Sequence, residues 1–247
     1  MGIHRPHLKV VRELVQRIYS GELKPGDKLP ALTELIENMG VDQASTRIAL
    51  KQLETMGVLE VRRSKGGYVK DFQKHAKIDF LATLFENGEE EDGEKFRVDP
   101  YLVDEIFEFW IMLNPEIIRM SCLKYTPRSM KAQLNIINEE LENLGNVEKI
   151  VELEILSLEL AVQLVDNIML TMLMNSLRPV RVKLLEFLAR SIDPEVWKEF
   201  LLMRKDMMKK LLINAPTDMD DYLNKFRTAL KAHHMVLRKS IVEGDSF

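Results

Sequence analysis

The chain has 247 residues, 46% of them hydrophobic and 30% charged, and a net charge of −4. That length suits one large domain or two modest ones, and the balance of apolar and charged residues excludes a disordered chain. One cysteine, Cys122, excludes an internal disulfide and reads as a small buried hydrophobe rather than a catalytic thiol.

No apolar signal segment follows Met1, and no apolar run approaches the ~20 residues of a spanning helix. A reducing cytoplasm is therefore the expected compartment, and no membrane is expected as a partner. The charge is unevenly spread. Through His75 there are 13 Lys/Arg against 9 Asp/Glu, a balance of +4, so the remainder carries −8. A basic head on an acidic body points to a polyanion as partner of the first segment.

In chain order, residues 6–19 place Leu8, Val11, Leu14, Val15 and Ile18 on one face of a helix. Gly21, Pro25 and Gly26 then punctuate a turn-rich break, SGELKPGDKLP. A short helix, LTELIENM, ends at Gly40, which suits a left-handed C-terminal cap. Asp42 caps a third helix that carries Ala49, Leu50 and Leu53 inward and stops before Gly57. VLEVRR and GGYVKDF alternate like two short strands around a turn at Ser64–Gly67. Helix, helix, tight turn, helix, hairpin is the order of a winged helix-turn-helix. Its third helix would be the reading head and its basic hairpin the wing.

Composition changes from about Phe72. A short helix, IDFLATLF, leads into ENGEEEDGEKFRVDP, an acidic loop expected to be mobile. Helices are then predicted near 100–124, 128–145, 148–165, 168–190, 194–213 and 218–242. Asp193, Pro194 and Glu195 specify one start as cap, first helical position and dipole partner. The last helix is expected to begin around Thr217–Asp218 and end near Gly244, and Pro115 and Pro179 to kink or break theirs. The predicted fold class is mainly α. An N-terminal winged helix-turn-helix with a small β-hairpin wing fills 1–71, a linker helix and acidic loop 72–99, and an all-α bundle able to enclose a cavity 100–247.

Phosphate neutralisation supplies most DNA affinity, and side chains at base edges supply specificity. Gln43, Ala44, Ser45, Thr46 and Arg47 fall at the start of the third helix, expected to be exposed, where such contacts are made. Gln43 can pair with adenine, and Arg47 can reach guanine or a phosphate. The same residues also suit a solvated helix start with no partner. Arg62, Arg63 and Lys65 lie beside Gly66 and Gly67, so charge and close backbone approach coincide in the wing. A charged hairpin tip can serve solubility alone, but behind these helices it reads as a DNA contact.

GELKPGDKLPALTEL followed by VDQASTRIALKQLETMGVLEVRRSKGGYV resembles the DNA-binding domain of the GntR family of bacterial transcription regulators. The features that carry this are PGDKLP, the Arg47–Ala49–Leu50–Leu53–Gly57 series and the glycine-rich basic wing. The resemblance implies double-stranded DNA as partner, with Thr33, Gln43, Ser45, Thr46, Arg47, Arg62, Arg63, Lys65 and Gly66 as contact residues. The chain departs from the pattern at three points. Thr33 stands where the family usually has an arginine, Asp42-Gln43 where it prefers Ser-Arg, and Ser64 in place of a wing glycine.

The C-terminal half is similar to the helical effector domain of the FadR subfamily, through KIDFLATL, VELEILSLELAVQLVDN and KAHHMVLRK. That likeness implies a homodimer with an effector-binding and dimerisation domain. Many such relatives hold a metal through an Asp and three His. Here Glu154 stands at the Asp position, Glu159 at the first His, and only His233 and His234 lie near the last, so neither metal nor cofactor is expected. Adjacent histidines on a helix point ~100° apart, which suits satisfied or surface histidines better than one shared site.

Losing the metal ligands moves the chain toward the fatty-acyl-responsive members, which bind acyl-CoA in a largely apolar cavity. Met169, Met172, Met174, Met203, Met207 and Met208 can adapt to such a ligand or simply be core. The tyrosines of those members' pocket are largely missing, with Val180–Arg181–Val182 in one such region. No phosphate-binding loop, nucleophile elbow or zinc-protease motif appears, so no enzyme is expected. The sequence thus reads as a dimeric regulator on a near-palindromic operator, modulated by a small apolar or fatty-acyl effector. The alternative is an apolar-ligand or protein-interaction module whose DNA head has weakened.

Overall fold

The computed structural model describes residues 5–63, 65–86, 99–213 and 218–242. It divides into two compact units, Met1–Phe96 and Arg97–Phe247. The fold is mainly α, with one two-stranded hairpin following the N-terminal helices.

The first unit runs α1 (Pro6–Tyr19), α2 (Leu32–Met39), α3 (Gln43–Thr55), β1 (Leu59–Arg62), β2 (Gly66–Val69), α4 (Phe72–His75) and α5 (Ile78–Glu86). The apolar stripe of α1 buries Val10, Val11, Leu14, Val15 and Ile18, while Leu8 is only half-buried. Helix α2 ends on Gly40 at φ 62°, whose N–H donates to the Ile36 carbonyl at 3.0 Å. Two residues later Asp42 Oδ1 accepts the Ser45 N–H at 3.0 Å and starts α3. Cap and left-handed glycine together set the tight turn between the two helices. Ala49 and Leu53 of α3 are fully buried against this core; Leu50, expected inward, is half-buried.

Gly57 is required by its surroundings. Its φ is +85°, and a Cβ placed there would stand 2.2 Å from the carbonyl oxygen of His75. That close crossing reflects the return of the chain after the wing. The Lys77 N–H donates to the Met56 carbonyl at 2.9 Å, Phe72 packs on Tyr19 and Phe80, and Phe80, Leu84 and Phe85 are buried. Residues 72–86, read from the sequence as part of a linker, are therefore built into the first unit. The acidic loop lies outside the described residues.

The hairpin pairs Leu59 with Val69 and Arg62 with Gly66 in antiparallel register. The PGDKLP segment lies along it: Leu29 N–H donates to the Gly67 carbonyl and Val69 N–H to the Asp27 carbonyl, each at 2.9 Å.

The second unit is all helix: α6 (Pro100–Cys122), α7 (Pro127–Glu142), α8 (Val147–Val165), α9 (Ile168–Ser176), α10 (Arg178–Ser191), α11 (Pro194–Leu212) and α12 (Met219–Val242). Asp193 caps α11 by accepting the Glu195 N–H at 2.8 Å, as its sequence indicates. Helix α6 runs unbroken through Pro115. The helix expected over 168–190, with a kink or break at Pro179, is broken into two: Pro179 has no N–H to continue the ladder and lies in the first turn of α10, after a break at Leu177. Helix α12 begins at Met219, directly after Asp218, whose Oδ1 accepts the Asp221 N–H at 2.9 Å at the expected start; Thr217 and the end expected near Gly244 lie outside the described residues. Ile117, Leu158, Ala161, Val162, Val165 and Met174 form one apolar cluster of this bundle.

Candidate functional site

Two sites follow from these elements, one in each unit. In the first, the turn at Gly40 and the cap at Asp42 fix α3 with one face on the core and the other open. Gln43 and Arg47 are exposed on that open face, and Thr33 is exposed on α2. Ile48 is 54% exposed beside them. Its place one turn after Ala44 puts it on the same stripe, a signal present in the sequence. Lys51 continues the stripe while pairing with Glu54 at 2.7 Å.

Two residues expected at an exposed reading edge are placed otherwise. Thr46 is 0% exposed, and its hydroxyl donates back to the Asp42 carbonyl at 2.9 Å. At 3.6 residues per turn it falls on the same face as Ala49 and Leu53, so it belongs to the core. Ser45 is half-buried, and its side chain and backbone N–H both bond Asp42, holding that carboxylate below its ordinary range. Ser45 serves the cap.

In the wing, Arg62, Arg63 and Lys65 are all exposed. Arg62 pairs with Glu60 at 2.9 Å and lies over the Tyr68 ring at 4.6 Å, so it is anchored along the strand. Its bond to Glu60 raises its already high pKa. Gly66 has φ +95°, and a Cβ there would come within 3.3 Å of the Lys28 side chain. Lys28 thus joins the wing from a distant stretch of sequence, bridging to Tyr68.

The second site is a cavity inside the bundle, holding about 840 Å³ of atom-free space including its mouth. Apolar walls from Trp110, Leu158, Leu185 and Leu188 surround a polar interior of Glu154, Arg181, Arg204 and His233. Glu154 accepts from Arg204 Nη1, and Arg204 Nη2 donates to Ser157 Oγ at 2.8 Å. Ser157 in turn donates to Gln133 Oε1 at 2.9 Å, and Gln133 Nε2 donates to the Ser157 carbonyl at 2.8 Å. Burial works against the Arg204 charge, but Glu154 and Glu140 outweigh it and hold its pKa above the ordinary value.

Glu140, fully buried nearby, accepts from Trp197 Nε1 at 2.8 Å. Burial first, and then the Glu154 carboxylate, push its pKa far up, so it keeps its proton at neutral pH. His233 stacks on Trp197 with centroids 5.6 Å apart and meets Phe200 edge-on, and burial lowers its pKa to about 4. His234 faces elsewhere, bonded to Asp104 at 2.7 Å and stacked on Phe107. Cys122 is half-buried, and burial pushes its pKa up to about 12.

These donors do not fit the metal of the FadR resemblance. Glu154 is taken by Arg204, and Glu159 turns to the surface to accept from Arg178 at 3.1 Å. Among the described residues no three His, Cys, Asp or Glu side chains stand together in a way that could hold an ion. The methionine stripe divides as well: Met208 lines the cavity, Met174 and Met207 are buried, Met203 is half-buried, and Met169 and Met172 are exposed.

A winged helix-turn-helix followed by a helical bundle with a charged cavity defines the class of the molecule. Residues 6–69 match the model of the bacterial regulatory proteins, gntR family. The HTH-type transcriptional regulator Mce2R of Mycobacterium tuberculosis is 32% identical over 120 residues, 48% of this chain and 47% of that protein. The HTH-type transcriptional regulator LutR of Bacillus subtilis is 28% identical over 131 residues, 53% of each. The chain thus spans about half the length of the curated relatives it matches. The solved structure of E. coli McbR/YncC aligns over 99% of this chain and 100% of its own at 17% identity, with a TM-score of 0.47. No helix among the described residues is long and apolar enough to cross a membrane.

Proposed function

We propose that the chain is a cytoplasmic transcription regulator that binds double-stranded DNA as a homodimer on a near-palindromic operator. The observation that carries this reading is the open face of α3, with Gln43, Arg47 and Ile48 exposed beside the Arg63–Lys65 wing on a gntR-family segment. In such a head the third helix enters the major groove. Arg47 can then pair with a guanine edge, Gln43 with adenine, and Ile48 can touch a thymine methyl. Arg63, Lys65 and Lys28 would neutralise backbone phosphates, and Arg62 can join them at little cost by leaving its exposed partner Glu60. The names of Mce2R and LutR as HTH-type transcriptional regulators support the same reading.

The bundle acts here as a FadR-type effector domain, shifting the population of head arrangements when an effector prefers one of them. Arg181 and Arg204 in the cavity favour a small anionic effector over a long fatty-acyl one.

Selection of bound duplexes from a random library tests the reading head. The wild type enriches paired half-sites roughly one helical turn apart or a multiple of it. Arg47→Ala loses preference at one position in each half-site. An identical selected sequence from the variant would remove Arg47 from the reading head.

A further inference from the structure

We infer that the outer face of α9 is where a second copy of this chain docks. This rests on the homodimeric reading above and adds the surface on which the two copies meet.

Helix α9 reads IMLTMLMNS, and from Asn167 to Leu177 no residue is charged. One side of it is spent on its own bundle. Met174 is buried, and Leu170 packs on the apolar cluster around Ile117 and Leu158. Two polar bonds hold the helix in place: Asn167 Oδ1 accepts the Leu170 N–H at 3.0 Å, and Arg181 Nη2 donates to the Met174 carbonyl at 3.2 Å. The other side carries Ile168 and Met169, each 72% exposed, Met172 at 59%, and Leu173. A helix that is apolar all round ordinarily lies inside a core. Helix α9 has core on one side and a fixed apolar face on the other.

The apolar surface does not stop there. Leu113 of α6 packs on the same cluster, and Phe109 and Met120, four residues before it and seven after it, share its helical face and are exposed. At the far end of α9 stand Asn175 and the exposed Arg178–Glu159 pair, 3.1 Å apart. An apolar centre with a polar rim is the anatomy of a protein–protein interface.

Charge decides the occupant. A two-fold contact lays one surface on its own image, so charges there meet their like, which costs affinity. Beyond His75 the chain carries a net −8, so two such bundles can join only through a face without charge. The α9 face is such a surface, and its methionines can repack against their own images. Nucleic acid finds no cation on it, and a helix lying on a membrane carries Lys and Arg along its polar side. The two longest stretches outside the described residues, 87–98 and 243–247, are net acidic and would lose hydration on it.

The test treats the full wild-type chain briefly with dilute hydrogen peroxide and follows its methionines by peptide mass spectrometry. Sedimentation equilibrium is run on the same sample. Met235 of α12, 74% exposed, is the reference. In a dimer, Met169 and Met172 should oxidise several-fold more slowly than Met235, although one copy alone leaves them open. Met172→Glu should raise the dimer dissociation constant at least about tenfold, and Met235→Glu should leave it unchanged. The peroxide result needs no substitution, so it decides the matter even where a variant fails to fold. If the wild type sediments as a dimer while Met169 and Met172 oxidise as fast as Met235, the copies meet elsewhere; the α9 face is overturned and the homodimer stands. A folded Met172→Glu with an unchanged dissociation constant has the same meaning. A wild type that is monomeric throughout overturns both.

Discussion

Arg204→Met leaves the Glu154 carboxylate, only 16% exposed, in the bundle without its cation. Removing one member of a buried ion pair typically costs about 3–5 kcal/mol, because the survivor stays charged and poorly hydrated. Ser157 loses a charge-assisted hydrogen bond in the same step, a further cost of about 1 kcal/mol. Both side chains are far less than a third exposed, so solvent screening takes little from this sum. A loss of about 4–6 kcal/mol is a large share of the roughly 5–15 kcal/mol that typically separates folded from unfolded domains.

The partner experiment is Arg204→Met with Glu154→Leu, which removes both charges and fills the space. By the same reasoning the double variant lies near the wild type or above it. Urea unfolding followed by tryptophan fluorescence isolates the effect, since Trp110 and Trp197 both belong to the bundle. A single-variant loss below about 1 kcal/mol would refute the network as described. So would a double variant no more stable than the single one.

Gly57→Ala combines a left-handed backbone with a Cβ 2.2 Å from the His75 carbonyl oxygen, so the first unit should lose at least about 2 kcal/mol by urea unfolding. A change within about 0.5 kcal/mol would mean that the crossing of α4 behind Gly57 is looser than described. His233 titrates at about 4 in the folded bundle, against an ordinary value of 6.5, so between these values the unfolded chain holds more protons. Stability therefore falls as pH drops from about 6.5 to 4, by on the order of 3 kcal/mol, and His233→Phe should flatten that slope in a series of melts. Cys122, pushed up to about 12 by burial, should react with iodoacetamide at neutral pH far more slowly than in urea. Equal rates in the two conditions would contradict its burial.

The head was legible in the sequence because each of its devices is local. Gly40, Asp42 and the glycine-flanked hairpin act over three or four residues, and the periodicity of α1 sets its buried face without help from elsewhere. Thr46 departs from the exposed edge expected of the helix start because a helix start is open on one face only. The same 3.6-residue count that buries Ala49 and Leu53 buries Thr46 three residues earlier. Lys28 could not be found from its neighbours, since its contact with the wing depends on the PGDKLP strand pairing beside β2.

The cavity was the least legible part. Glu154 and Arg204 lie 50 residues apart and Glu140 and Trp197 lie 57 apart, so only the packing of α7, α8 and α11 brings them together. The resemblance sets Arg181 in a pocket region, but no local pattern signals its burial, because an arginine in an amphipathic helix ordinarily faces water. The split of α9 from α10 had a clear signal in Pro179, but the uninterrupted apolar pattern on either side masked the position of the break.

The claim that α3 and the wing hold double-stranded DNA is tested most directly by a fluorescence-anisotropy titration of a selected duplex at several salt concentrations, comparing wild type with Arg63→Ala. The account predicts log K falling linearly with log salt for the wild type. For the variant it predicts weaker binding and a slope shallower by about one for each protomer on the DNA. Wild-type binding that ignores salt, or a slope that Arg63→Ala leaves unchanged, would contradict it.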